Sequence, residues 1–231
     1  MSFQDQLIVR NPKLSPVSEA FRTLRTNLQF SKIDSSLHSL IITSAGPQEG
    51  KSTVVANTGV VLAESGKKVI IVDCDLRKPT QHRIFGVKER GLTNYLVERT
   101  TVDELFQLTG IDNLQVLTSG PIPPNPSELL VSSRMADLLV YLQSHFDFVL
   151  IDTPPVIAVT DACVLASRVE GVALVVRAGF TRPEMVRQAK ESILRANGKL
   201  LGVILNRVEI EEQYSNYYYY YGTDKRRHNS I

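Results

Sequence analysis

Ser44-Ala45-Gly46-Pro47-Gln48-Glu49-Gly50-Lys51-Ser52-Thr53 decides how the rest of this chain is read. An apolar run, Leu40-Ile41-Ile42-Thr43, precedes it, and a segment of helical character follows. A strand, a tight Gly-containing turn and a helix start make a phosphate cradle. Successive backbone N–H groups point into the turn, and the helix N-terminus adds positive potential. In such a cradle Lys51 reaches the β- and γ-phosphates and the Ser52 hydroxyl ligates Mg²⁺. Gly46, Gln48, Glu49, Gly50 and Thr53 complete the set expected around a nucleotide. The one departure from G-x-x-x-x-G-K-[ST] is Ala45, where the first glycine belongs. Gly-Lys-Ser alone is a common accident; the flanking strand and helix give it weight.

Outward from the loop the pattern repeats. Residues 67–72 form a short, β-branched, apolar run, as do 148–151, 172–176 and 200–205; residues 113–118 are a weaker candidate. Such runs suit strands buried on both faces of a parallel sheet. Helices are expected over 15–30, over 54–65 closed by Gly66, from near Glu128, and over 132–145, 160–167 and 183–196. Alternating strands and helices imply parallel strands with right-handed crossovers. The expected fold is therefore α/β and P-loop NTPase-like, with a mostly parallel central sheet and helices on both faces. Residues 1–14 read as an extended lead-in and 15–212 as a single domain. A flexible tail is expected over 213–231.

Bulk composition narrows the choices. The 231 residues are 43% hydrophobic and 22% charged, as in an ordinary globular protein. A net charge of +2 gives no argument for nucleic acid. Cys74 and Cys163 lie far apart in apolar surroundings and read as buried reduced thiols rather than a disulfide or metal site. No stretch approaches the roughly 18 apolar residues of a membrane span, and the N-terminus lacks a signal-peptide pattern. Any membrane role is expected to go through a partner.

Asp73, Asp75 and Asp152 sit at or just after the C-terminal ends of apolar strands. In an open parallel sheet those ends share the edge that carries the phosphate loop. Asp152, in Leu150-Ile151-Asp152-Thr153-Pro154-Pro155, looks like a Walker B aspartate holding Mg²⁺ through water. One such aspartate suffices for nucleotide binding, so the pair at 73 and 75 is extra. One of the two can serve the metal's water shell while the other accepts a proton from a nucleophile. Alternatively, one of the two, Asp75 before Asp73, caps a turn or pairs with Arg77. Ser52, Asp73 and Asp152 are the candidate metal set, and Asp73 is the preferred base. Lys51, Asp73, Asp75 and Asp152 together are the candidate catalytic group.

Two further segments stand out. On the first helix, at about 100° per residue, Phe21, Leu24 and Leu28 share one face, with Glu19, Arg22 and Arg25 on an arc roughly opposite. That arc is either a solvated face or a contact surface for another subunit. Near the C-terminus, Tyr214, Tyr217, Tyr218, Tyr219, Tyr220 and Tyr221 fall in a segment almost without aliphatic residues. Five consecutive tyrosines cannot all be buried by one helix or strand face. A row of phenol hydroxyls on a tail joined to an ATP site reads as a substrate. Phosphoryl transfer to tyrosine needs positioning, charge neutralisation and a carboxylate within reach of the hydroxyl.

These features together resemble the bacterial tyrosine kinases, specifically the separate cytoplasmic kinase subunit of Firmicutes. The resemblance rests on the phosphate loop, on Val69-Ile70-Ile71-Val72-Asp73-Cys74-Asp75-Leu76-Arg77, on Val149-Leu150-Ile151-Asp152-Thr153-Pro154-Pro155, on Glu19-x-x-Arg22-x-x-Arg25, on the stretch 121–130 and on the tyrosine tail. It implies ATP and Mg²⁺ as cofactors and phosphorylation of the tail by a neighbour in a homo-oligomeric ring. The ring would be built through the Glu/Arg helix. It also implies activation by a transmembrane modulator of the polysaccharide co-polymerase type. The kinase would then sit at the inner face of the membrane, acting on capsule or exopolysaccharide synthesis and on protein substrates. Asn206 matches the position that reads adenine in related ATPases. The competing reading is a partitioning or septum-placement ATPase, a switch of the same fold. Those proteins carry an extra lysine where this chain has Gly46, and they lack a tyrosine tail.

Overall fold

The computed structural model describes residues 4–10, 15–31, 37–98 and 100–209. Its centre is a seven-stranded sheet: β1 (Ser39–Ser44), β2 (Val69–Asp73), β3 (Gln107–Leu108), β4 (Leu114–Leu117), β5 (Phe148–Asp152), β6 (Gly171–Arg177) and β7 (Leu200–Asn206). The spatial order is β3-β4-β2-β5-β1-β6-β7. Every pairing is parallel except β3 with β4. The helices are α1 (Ser15–Gln29), α2 (Lys51–Ala63), α3 (Gln81–Phe85), α4 (Leu92–Glu98), α5 (Pro126–Val131), α6 (Ser133–His145), α7 (Asp161–Ala166) and α8 (Pro183–Arg195).

The continuous apolar runs become central strands because both sheet faces are covered. Alternate residues serve opposite cores. Leu40, Ile42, Val69, Ile71 and Leu150 pack with α1 and α2. Ile41, Ile70, Val72, Val149 and Ile151 pack with the side that carries α5, α6, α7 and α8. Helix α2 lies between the sheet and α1, and it is buried from Val54 to Ala63. An apolar surface all round is what such a position requires. Gly59 is its point of closest approach, where a Cβ would stand 2.6 Å from Ile71 Cδ1.

The expected strands and longer helices all form, within a few residues of the bounds read from sequence. Four elements were not anticipated: α3, α4, a 3₁₀ turn at Val102–Leu105 and the two-residue antiparallel β3. Each is too short for hydrophobic periodicity to stand out. The lead-in, expected to be extended, is not so over its described residues 4–10. It makes 3₁₀ turns at Gln4–Gln6 and Ile8–Arg10 and docks on α2. Both cysteines are free thiols; Cys74 is buried, but Cys163 is only half-buried. Among the described residues no helix is long and apolar enough to cross a membrane.

Candidate active site

The phosphate loop leaves β1 at Ser44 and enters α2 at Lys51. Two residues turn it through left-handed backbone, Gln48 (φ 62°) and Gly50 (φ 89°). Glycine suits position 50 because side-chain-bearing residues rarely adopt this backbone, and a Cβ there would also displace Asn206, whose Nδ2 would lie 2.3 Å away. Glu49 braces the turn from within. Its carboxylate accepts the Ala45 and Gly46 N–H groups, both at 3.1 Å, and the Thr181 hydroxyl at 2.8 Å. Its carbonyl accepts Asn206 Nδ2 at 2.9 Å. Glu49 therefore shapes the cradle, and its carboxylate is already committed to the loop. Asn206, expected at adenine, stands at the end of β7 on this edge, where its side chain also accepts the Arg207 N–H.

Lys51 and the acidic strand ends converge. Lys51 Nζ lies 2.7 Å from Asp75 Oδ2, 3.1 Å from Ser52 Oγ and 3.3 Å from Asp152 Oδ1. Burial alone would lower the lysine's pKa, but Asp152 and Asp75 more than offset that, so the ammonium stays charged. Asp73 and Asp152 are register partners on adjacent strands β2 and β5. Asp73 is fully buried: Oδ2 accepts the Thr80 and Gln81 N–H groups, and Oδ1 accepts that of Asp75. Burial and the nearby Asp152 charge push its pKa up to about 7, against the backbone donors and Lys51. Asp75 is turned towards the cleft, which it lines.

Two side chains that the sequence did not single out hold this group in place. Gln81 is fully buried, and its Nε2 donates to the Ser52 carbonyl at 3.1 Å and to Asp152 Oδ2 at 2.8 Å. Its Oε1 is buried without a hydrogen-bond partner among the described residues. Asp161, also fully buried, takes Arg77 in a two-pronged ion pair at 2.9 and 3.1 Å and the Ser127 hydroxyl at 2.6 Å. The alternative reading holds in its capping half only: Asp73 accepts the Thr80 and Gln81 N–H groups and Asp75 Oδ1 the Lys78 N–H at 3.0 Å, while Arg77 reaches across to α7 and Asp75 Oδ2 faces Lys51. This network ties the turn after β2 to the starts of α5 and α7. Its only sequence signal was a lone basic residue near an acidic helix start.

The cleft encloses about 370 Å³ and is lined by the loop from Pro47 to Thr53, with Gln6, Asp75, Lys78, Thr80 and Pro155 opposite. Hollows of about 490 and 430 Å³ lie at the other edge of the sheet, around residues 110–113. They lack a helix N-terminus, so chemistry rather than size selects the smaller site. The residues fit a magnesium nucleotide: a cradle of N–H groups, a charged lysine and a Ser52 hydroxyl lie beside Asp152, with the unpartnered Gln81 oxygen close by. Elsewhere, Glu19 and Arg22 pair on the exposed side of α1. Arg25 departs from the expected outward arc, because its Nη1 donates to the Val61 carbonyl on α2 at 3.2 Å. The six tail tyrosines lie outside the described residues.

Comparison with known proteins bears on this geometry. Residues 45–176 match a family described as an AAA domain. The chain is 44% identical over 219 residues to the putative tyrosine-protein kinase CapB of Staphylococcus aureus, covering 94% of this chain and 96% of that one. The crystal structure of the chimerical protein CapA2B2 superposes with a TM-score of 0.85 at 45% identity, over 89% of this chain and 91% of that one. The septum site-determining protein MinD of Pyrococcus horikoshii, solved with Mg-ADP, gives a TM-score of 0.64 at 24% identity over 78% of this chain and 76% of that one, a likeness of fold alone. With its nucleotide cradle and aspartate pair, the chain belongs to the family of bacterial tyrosine kinases of capsule and exopolysaccharide systems.

Proposed function

We propose that this kinase transfers the γ-phosphoryl group of ATP to the tail tyrosines Tyr214, Tyr217, Tyr218, Tyr219, Tyr220 and Tyr221 of a neighbouring copy. The convergence of Lys51 with Asp73, Asp75 and Asp152 beside an open phosphate cleft carries this reading. A switch ATPase needs one such aspartate; an acceptor hydroxyl needs another. Bound Mg²⁺ would neutralise phosphate charge, and Ser52 and Asp152 would hold it, with Asp75 serving its waters. Lys51 exchanges its carboxylate partners for the phosphates and frees Asp75. A tyrosine hydroxyl, with a pKa of about 10, arrives neutral. Asp73 takes its proton. Asp73 Oδ2 accepts the Thr80 and Gln81 N–H groups, which favour the ionised form that a base needs. Its Oδ1 accepts a single N–H and retains a lone pair for the task.

Each tyrosine phosphate adds roughly −1.5 to −2 charges at pH 7. Several on one tail repel the neighbouring copy, so a ring that permits phosphorylation is dissolved by it. Glu19 and Arg22 form the ring contact, and a transmembrane modulator of the polysaccharide co-polymerase type recruits the kinase to the inner face of the membrane. Family membership supports these partners. Incubation with ATP and Mg²⁺, with and without a candidate modulator tail, tests the activity. Phosphotyrosine on the tail is the expected product. ADP and free phosphate alone would favour the switch ATPase.

A further inference from the structure

We infer that the N-terminal segment 4–10 is part of the nucleotide site, and that Gln6 positions the phosphate through Thr53. The inference rests on reading the cleft as an ATP site. Gln6 lines that cleft beside Lys51, Ser52 and Thr53. Thr53 Oγ1 donates to Gln6 Oε1 at 2.7 Å. Gln6 is itself held from behind, its carbonyl accepting Asn57 Nδ2 at 2.7 Å. Asn57 Oδ1 in turn accepts the Val9 N–H at 3.0 Å, and Asn57 Nδ2 also donates to the Thr53 carbonyl at 2.8 Å. Asn57 is fully buried one helical turn after Thr53, so its side chain is spent on holding this segment against the start of α2. Leu7 and Val9 add apolar contact with the core on the α2 side. The first turn also packs beside α3, whose leading residue Gln81 holds Ser52 and Asp152.

The choice of side chain follows from proton counting. A hydroxyl has one proton to donate and two lone pairs to offer. Thr53 lies in the first turn of α2, where a helix holds anions. A phosphate oxygen only accepts, so Thr53 must turn its proton from Gln6 to the phosphate. Gln6 keeps the contact by rotating its amide and donating N–H to the same oxygen. The result is a chain, amide to hydroxyl to phosphate, in which each bond polarises the next. A glutamate at position 6 could only compete for the proton, and an apolar residue could do neither.

Titration calorimetry of ADP with Mg²⁺ on the full chain tests this. Gln6→Met is expected to weaken ADP about fivefold, the size of one net hydrogen bond between neutral groups, and Gln6→Glu further. In a Thr53→Val background, Gln6→Met should cost nothing more, a coupling that a purely structural role would not show. ADP affinity unchanged in Gln6→Met, or an equal loss in both backgrounds, overturns the inference. Failure of the unmodified chain to bind ADP would instead overturn the ATP-site reading on which it depends.

Discussion

Lys51 Nζ lies 2.7 Å from Asp75 Oδ2, and the two side chains are only 12% and 6% exposed. Lys51 is thus neutralised by the carboxylate that must release it to the phosphates. Lys51→Met removes both roles. Tail phosphorylation should fall by more than about 100-fold, the usual cost of losing a charge-stabilising donor. Stranding two buried carboxylates should also cost the nucleotide-free protein about 3–5 kcal/mol. Phosphotyrosine detection and urea unfolding read the two effects separately.

Gln81→Leu keeps the volume but removes the amide that anchors Asp152. The Mg²⁺ concentration needed for half-maximal ADP binding should rise about tenfold, as for loss of a supporting hydrogen bond to a metal ligand. An unchanged Mg²⁺ requirement would mean that Asp152 is held well enough by its strand.

Asp73 predicts a pH dependence in the protein without nucleotide or metal. Its folded pKa, about 7, lies above the unfolded value near 3.8. Its favourable contribution is therefore fully present below the unfolded value and is lost as pH rises through about 7. Between pH 5 and pH 8 the unmodified protein should lose stability more steeply than Asp73→Asn. Parallel unfolding midpoints across that range would contradict the buried-carboxylate account.

The central strands and long helices were legible in the sequence because both-face burial leaves continuous apolar runs and α1 and α8 carry clear polar and apolar sides. The phosphate loop and its aspartates were legible for a different reason: their chemistry fixes residue types at short spacing. The missed parts have neither signal. Gln81 joins Ser52 to Asp152 across 29 and 71 residues, and Arg77 finds Asp161 across 84. Such contacts arise only when the strand ends are brought to one edge. Gln6 carries neither signal, because a short mixed lead-in has no periodicity, yet Asn57 on α2 holds its carbonyl.

Glu19 and Arg22 pair with each other on the exposed side of α1, while Arg25 is spent on the Val61 carbonyl. Glu19→Ala with Arg22→Ala should therefore abolish self-association without unfolding the chain. Light scattering after size-exclusion chromatography would then report a monomer with an unchanged melting temperature. Arg25→Ala should also lower the melting temperature, since it removes a contact within the fold. Oligomers that survive the double substitution would place the interface elsewhere.

The central claim is that one copy phosphorylates the tail of another, and a mixing experiment tests it directly. The donor is a full-length protein with its six tail tyrosines changed to phenylalanine. The acceptor is full-length Lys51→Met, which keeps its tail but lacks the phosphate-binding lysine. With ATP and Mg²⁺, mass spectrometry should find phosphate on the acceptor at Tyr214 or within Tyr217, Tyr218, Tyr219, Tyr220 and Tyr221. Accumulation of ADP and free phosphate with an unmodified acceptor tail would contradict the account.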